Sequence, residues 1–477
     1  MTKHSAWKMA GAIFVLCAAT AIAASAQTFN TLVEFDGADG QEPDMMSLIQ
    51  GRDGNFYGTT LEGGLQNAGT IFKVTSDGTL NTLYSFCAQN GCPGGANGLI
   101  MGADGSLYGV TASGGLPGNC GTAFKLASDG TFTVLLTFLK SNGCTPVAPP
   151  IQGVDGNLYG TTTGGGAYFD GTVYKITSKG ILTTLHSFSG SDGALPFGKL
   201  VEGTDGNFYG TTLGGGSGCP LSETCGTVFR ITPSGTFASL YVFCLAECQD
   251  GEEPYAGLAL GLDGAFYGTT SSGGGSSRAG TIFRIDRNGT LTTLYRFSGH
   301  ADGGNPIAGL AQATDGSFYG STTSGGSNVG NGFGTLFRIT PSGGLTTLYS
   351  FNLTDGSYPY GGLLQSTSGL LFGTTQQGGN LECSDNGCGT IFSLDMGLGP
   401  FVSFVRAAGK VGQTGPILGQ GFTGTTSVSL NGIPASFTVV SDTYIRATVP
   451  AGATTGYVTV TTPTGVLTSN VPFHVIR

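Results

Sequence analysis

The chain is 477 residues long and acidic, with 19 Lys+Arg against 29 Asp+Glu, a net charge of −10, and glycine at 87 positions. An acidic surface argues against nucleic acid and anionic membrane as partners. Glycine at that level would suit a disordered chain, but aromatic and β-branched residues recur at regular intervals, which points instead to an all-β chain with many tight turns.

At the N-terminus Lys3 and Lys8 lead into an apolar run from Met9 to Ala24 that closes on Ala24-Ser25-Ala26. Residues 1–26 read as a secretory signal, too short and wrongly flanked to span a bilayer. Cys17 follows Leu16, where a lipoprotein signal wants a small residue, so lipid attachment is not expected. No later stretch has the roughly twenty apolar residues of a membrane span, and "PFHVIR" at the C-terminus is neither an apolar nor a sorting tail. The expected protein is secreted or periplasmic, with cell-surface association as a further option. Without the signal it keeps 17 bases and 29 acids, a charge of about −12.

An orphan strand, "FNTLVEF" at Phe29 to Phe35, precedes a repeat that governs the next 370 residues. "DGNFYG" at Asp53 returns as "DGSLYG" at Asp104, "DGNLYG" at Asp155 and "DGNFYG" at Asp205. It comes back as "DGAFYG" at Asp263, "DGSFYG" at Asp315 and a degraded "SGLLFG" at Ser368. The seven copies are 50 to 58 residues apart, and each holds four strand-like pieces with turn signals between them, the size of one propeller blade. In the first copy the pieces are "MMSLIQG", "NFYGTT", "GTIFKVT" and "TLNTLYSF". The seventh stops at "GTIFSLD" near Asp395 without a fourth strand, which the orphan strand could supply. The expectation is a seven-bladed β-propeller over 27–396, closed by its N-terminal strand so that no sheet edge is left exposed.

After Leu398 the period vanishes, and residues 398–477 read as six or seven alternating strands, the rhythm of an immunoglobulin-like sandwich without a disulfide. "GQGF" at Gly419, "VSLNG" at Val428, "VP" at Val449 and "GYVTV" at Gly456 make this segment resemble the IPT/TIG domain. The repeat, with "DGNFYGTT", a Gly-Gly step and "GTIFKVT", is similar to the GloVer tandem repeat of bacterial choice-of-anchor surface proteins. These resemblances imply a recognition or spacer role and bring no catalytic residues.

Ten cysteines follow the signal, an even number in an exported chain, so disulfides are expected. Cys87 and Cys92, Cys219 and Cys225, Cys244 and Cys248, and Cys383 and Cys388 are close in sequence, while Cys120 and Cys144 can meet within one blade. Cys225 with Cys244 is an alternative pairing. All fall in connections that share one face of the disc. Zinc is the rival reading, but no histidines stand near the thiols.

Charges recur too. The third strand carries Lys73, Lys125, Lys175, Arg230, Arg284 and Arg338, and the turn carries Asp53, Asp104, Asp155, Asp205, Asp263 and Asp315. Both positions turn to serine in the seventh copy, at Ser393 and Ser368, so the two are expected to pair within each blade. Loops between blades repeat "DG..P" at Asp39, Asp192, Asp250, Asp302 and Asp355. Asp36, Glu42 and Asp44 make the first of them acidic enough to suggest calcium, but EF-type spacing is absent and an Asp-Gly turn explains the recurrence. No cofactor is otherwise expected.

Candidate chemistry is sparse. His186, His300 and His474 have no companion acid or nucleophile at a telling spacing, and no G-x-S-x-G, H-E-x-x-H or G-K-[ST] motif is present. One innermost-strand position recurs as Gln50, Gln152, Glu202, Gln312 and Gln365, with Met101 and Leu260 as exceptions, and could line a central channel. Loop tyrosines Tyr168, Tyr255, Tyr358 and Tyr360 could stack on a sugar or a protein, whereas the lone tryptophan, Trp7, goes with the signal. Two functions are consistent with this. One is a non-catalytic extracellular binding, adhesion or scaffold protein, monomeric, presenting a loop-rich face to a protein or glycan. The other is a secreted carbohydrate-active enzyme, a hydrolase or lyase, with Glu202 by the channel and Glu223, Glu247, Glu252 and Glu253 crowding the fourth and fifth copies.

Overall fold

The computed structural model describes residues 27–43, 47–87, 94–219, 224–245, 247–327 and 332–476. The signal-like segment, Asp44, Cys92 and Glu223 lie outside them. Among the described residues every regular element is a strand. The repeat region forms six four-stranded antiparallel sheets and one of five strands, in which Gln41–Pro43 adds to the edge of Phe56–Glu62.

The fourth sheet shows why the repeat folds this way. Its strands are Val201–Glu202, Phe208–Thr212, Thr227–Ile231 and Phe237–Val242, in that order. Gly210 stands opposite Phe229, and a Cβ on it would lie 2.6 Å from the ring and 2.8 Å from Leu200 Cδ2. The glycine of the Tyr-Gly step therefore makes room for the third strand's aromatic ring. Two residues on, the buried hydroxyls of Thr212 and Thr227 bond each other, a pair found in every repeat sheet at 2.8 to 3.0 Å. That satisfies two polar groups in the driest layer. The second strand is fully buried, and the third is buried except for its base.

Sheets then stack face to face on aromatic pairs: Tyr159 with Phe208, Tyr209 with Phe266 and Tyr267 with Phe318, at 4.1 to 4.2 Å between ring centres. Phe56 of the first sheet meets Phe372 of the last at 4.1 Å in the same manner. The last sheet takes its outer strand from the other end of the chain, Thr28–Glu34 pairing antiparallel with Thr390–Asp395. The fold is propeller-like. One expectation changes in detail: "MMSLIQG" is a strand only at Ile49–Gln50, and the innermost strand is two residues long in every sheet but the second. These strands have a neighbour on one side only, and the backbone ahead of them turns into close contact with the adjacent sheet. A Cβ on Gly257 would lie 2.3 Å from the Lys199 carbonyl oxygen.

Beyond residue 400 ten short strands form two four-stranded sheets and a parallel pair, Ala408–Lys410 with His474–Ile476. Ile417 and Ile445 of one sheet pack with Val428, Leu430, Val458 and Val460 of the other around Phe422 in a single core. No cysteine contributes to it.

Candidate functional site

Each repeat's turn aspartate holds more than the expected base. In six copies its carboxylate accepts from the tyrosine hydroxyl four residues on, at 2.7 to 3.1 Å. Four of the expected ion pairs form, Asp53–Lys73 at 3.6 Å, Asp104–Lys125 at 2.8 Å, Asp263–Arg284 at 2.7 Å and Asp315–Arg338 at 2.9 Å. Burial raises Asp104, but the Lys125 ammonium, the Ser106 N–H and the Tyr108 hydroxyl outweigh it and hold the carboxyl at about 2. Lys175 acts on Asp155 by its charge, and Asp205 feels Arg287 of the next repeat, while Arg230 leaves its Nε unpaired. In the seventh copy Phe372 replaces the tyrosine, so base, acid and hydroxyl are lost together.

The recurrent glutamines are clips between sheets. The side-chain oxygens of Gln50, Gln152, Gln312 and Gln365 accept from the backbone N–H of Thr367, Ala103, Leu262 and Thr314 in the preceding sheet, each at 2.9 Å. Their amide nitrogens donate to a glycine carbonyl in their own turn at 3.1 to 3.4 Å. Glu202 takes the same place and accepts from the Val154 N–H, but an ionised carboxylate has no hydrogen for the second bond. Burial, opposed by the Arg406 charge and reinforced by Asp155 and Asp205, raises Glu202 to about 7.

The interblade aspartates are likewise tied down. Asp250, Asp302 and Asp355 accept from Tyr241, Tyr295 and Tyr349 of the outer strand, and His186 Nε2 meets Asp192 at 2.9 Å in the tyrosine's stead. His186 thus completes a loop anchor. Asp36 and Asp39 bond each other's backbone in the first loop, and burial with the neighbouring Asp36 charge raises Asp39 to about 6.

Disulfides join Cys120 to Cys144, Cys219 to Cys225, Cys244 to Cys248 and Cys383 to Cys388. Cys87 is also bonded, while Cys92 falls outside the described residues. Beside the Cys244–Cys248 bridge lies the buried Glu252, its Oε2 3.8 and 3.7 Å from the two sulphurs and its Oε1 paired with Arg278. This is the one cluster of metal-ligand type among the described residues, and the disulfide and the arginine occupy its donors. Glu247 and Glu253 flank it in the same loops. Among the loop tyrosines, Tyr168 is 62% exposed, Tyr255 packs on Phe197 at 4.7 Å, and Tyr358 neighbours Tyr360 at 6.4 Å. His300 sits in a loop as expected.

The C-terminal unit docks on the opposite face, against the Asp-Gly turns. Thr443 Oγ1 donates to the Arg52 carbonyl at 2.7 Å, the Arg52 guanidinium lies 5.0 Å over the Tyr444 ring, and Arg406 reaches the Val154 carbonyl at 3.3 Å. Between this unit and the innermost strands is a chamber of about 700 Å³. Met101, Gln152, Lys199, Val201, Glu202 and Leu260 form its wall, and Arg406, Val471, Pro472 and His474 form its floor. His474 belongs to the floor strand, where burial and the Arg287 charge lower it.

Lys199 is the residue that sequence reasoning missed. It lies six positions before the turn aspartate, where the other repeats have Ser47, Gly98, Pro149, Gly257, Gly309 and Gly362. That substitution of a charge for small residues was visible in the alignment of repeats. Burial lowers its ammonium to about 8.

The Gloeobacter/Verrucomicrobia repeat matches residues 1–221 and again 220–432. The chain belongs to this repeat family. No curated protein matches it. Among solved structures it is similar to a fungal alcohol oxidase of the AA5 family in complex with copper, at 13% identity and TM-score 0.52, covering 94% of this chain and 99% of that one. It also aligns with a gluconolactonase from Xanthomonas campestris (16% identity, TM-score 0.38, 63% of this chain and 85% of that one). A luciferin-regenerating enzyme gives 14% identity and TM-score 0.40, over 64% of this chain and 93% of that one. At these identities the likeness concerns fold alone. Copper would need several nitrogen or oxygen donors, and the chamber offers one imidazole, His474, with carboxylates already engaged; the residues do not fit that metal.

Proposed function

We propose that the chain is an exported, non-catalytic binding protein whose ligand enters the chamber between repeat ring and C-terminal unit. In this reading residues 27–396 close into a seven-bladed propeller, residues 398–477 are an IPT/TIG-like sandwich, and residues 1–26 are removed as a secretory signal. The disulfides and the absence of a long apolar helix among the described residues support an extracellular setting. The observation that carries the reading is the chamber itself, about 700 Å³ and walled mainly by apolar side chains with a few polar groups, the size and make-up of a small-molecule site. Native mass spectrometry of the monomer after incubation with envelope and culture-medium extracts tests it. A bound small molecule is expected in the wild type and none in Leu260→Trp, which fills the chamber. Equal capture by both would move the site to the loop face with Tyr168.

A second reading keeps the carbohydrate-active enzyme, because a carboxyl raised to about 7 can act as a general acid near neutral pH. Among the described residues no free second carboxylate stands in the chamber: Asp155 and Asp205 are bound to tyrosine and asparagine side chains. Polysaccharide turnover lost in Glu202→Gln would establish it.

A further inference from the structure

The chamber holds several ionisable groups: Glu202, Asp205 and Arg406 are answered by partners, the imidazole of His474 is kept from protonation by burial and the Arg287 charge, and the Lys199 ammonium stands alone. Glu202 is faced by the Arg406 charge and the Val154 N–H. Asp205 is bonded to Asn207 and Tyr209. Arg406 donates to the carbonyls of Ala408, Gly153 and Val154. Lys199 has no hydrogen bond, ion pair or neighbouring acid among the described residues. It stands in a ring of small residues where neighbouring backbones nearly touch, so its side chain is the one long group at that level of the axis.

An unanswered ammonium in a mainly apolar wall costs free energy unless something pairs with it. Folding alone does not ask for it, since glycine serves at this place in four other repeats. We infer that Lys199 makes the chamber selective for a small monocarboxylate with an apolar body. The inference rests on the proposed chamber site and adds its chemical class. One ammonium neutralises one negative charge. A phosphate dianion or a dicarboxylate would bring a second charge that Arg406, held on backbone carbonyls and facing Glu202, is not free to take, and Glu202, three residues along the chain and within roughly 11 Å, would repel it. The apolar body finds Met101, Val201 and Leu260 in the same wall as the lysine and Val471 and Pro472 on the floor. Hydrogen-bonded ion pairing in such surroundings is stronger than in water.

Three probes of one length test this: octanoate, octan-1-ol and octylamine, titrated against the full exported chain by ligand-observed NMR at pH 7. Octanoate is expected to bind at least tenfold more tightly than octan-1-ol, and octylamine most weakly. Lys199→Gln should erase the preference for octanoate while leaving octan-1-ol binding within twofold. Lys199→Gly, which restores the residue of four sister repeats, should do the same without a lower melting temperature, so loss of the preference cannot be blamed on misfolding. Octanoate and octan-1-ol binding alike, or a preference that survives in both variants, overturns the inference yet leaves the chamber as a site. Failure of all three probes overturns the inference as well, and the chamber reading then stands or falls on the extract experiment with Leu260→Trp.

Discussion

The fourth and seventh repeats both depart from the common pattern, and they depart in opposite ways. The seventh gives up three linked groups at once: Ser368 for the turn aspartate, Phe372 for the tyrosine and Ser393 for the base. Its turn is where the chain leaves the array, Phe401 N–H bonding the Thr367 carbonyl and a Cβ on Gly369 meeting the Leu398 carbonyl at 2.0 Å. Charges buried under that crossing would have no solvent, so the whole network is absent and Ser368 bonds Ser366 instead, at 2.7 Å. The fourth keeps its aspartate and tyrosine, puts Glu202 in the clip position, where it still accepts from the Val154 N–H, and adds Lys199 just ahead of the innermost strand with no partner among the described residues. A coordinated loss marks architecture, whereas an unanswered gain marks a site.

The largest expected effect falls on what the two repeats share. Gly210→Ala and Gly373→Ala each press a methyl group into an aromatic ring, at 2.6 Å from Phe229 and 2.4 Å from Phe392. Overpacking of this kind costs about 1–3 kcal/mol, and more where the backbone cannot yield. Both melting temperatures should drop by similar amounts, and a drop confined to one variant would mean the sheets are not equivalent at their cores.

The turn should separate them. Asp205→Ala leaves the Tyr209 hydroxyl and the Asn207 amide without their acceptor, a loss on the order of 1–2 kcal/mol. Ser368→Ala removes one hydroxyl contact and should change stability by less than about 0.5 kcal/mol. Matched thermal melts check the difference, and equal losses would undo the claim that the seventh turn has been rebuilt without the network.

Glu202 gives the comparison a pH axis. Its folded value of about 7 lies above the ordinary 4.5, so the folded chain holds a proton that the unfolded chain has released between those pH values. The stability associated with it is complete below pH 4.5, falls as pH rises toward 7 and stays low above 7. Glu202→Gln supplies the amide that Gln152 and Gln312 use and cannot ionise. Above pH 7 it should add roughly 1 kcal/mol of stability, once solvent in the chamber is allowed for, and so raise the melting temperature, while leaving it unchanged near pH 4. A gain that is the same at both ends of the range would assign the effect to packing rather than to charge.

Much of this was legible before any coordinates. The spacing of Asp-Gly and Tyr-Gly steps located the sheets, because each step is forced by one turn and one close approach. The strand at Phe29 announced its pairing with the last copy because a missing strand and a spare one were both in the text. Less legible was which way each group points. The alternation that reveals strand faces needs more than two residues, and the innermost strands have two, so the sequence does not show that the amide oxygens of Gln50, Gln312 and Gln365 accept from the neighbouring sheet. The network around Asp53 was half seen: the base was noticed and the tyrosine was not, although Phe372 falls out of line together with Ser368 and Ser393. The floor of the chamber was invisible, since the docking of Arg406 and His474 depends on contacts between residues some 250 positions apart, as in Arg406 with Val154.

Tyr174 tests whether an unanswered group is by itself enough to mark a site. It stands where the other six repeats have phenylalanine, at Phe72, Phe124, Phe229, Phe283, Phe337 and Phe392. Its hydroxyl is fully buried without a partner among the described residues, and burial holds its pKa far above the usual tyrosine value. Unlike Lys199 it is sealed inside a sheet core, among Ile100, Val110 and Phe138, where no ligand can reach. If access to the chamber is what turns an unpaired polar group into a binding group, Tyr174 is only a cost, and Tyr174→Phe should stabilise the chain by about 1 kcal/mol while leaving octanoate affinity unchanged. Lys199→Gly, by the same logic, should not lower stability but should bring octanoate affinity down to that of octan-1-ol. A Tyr174→Phe variant that loses stability would show a hidden partner for the hydroxyl, and one that loses octanoate binding would show that the third sheet's core is coupled to the chamber.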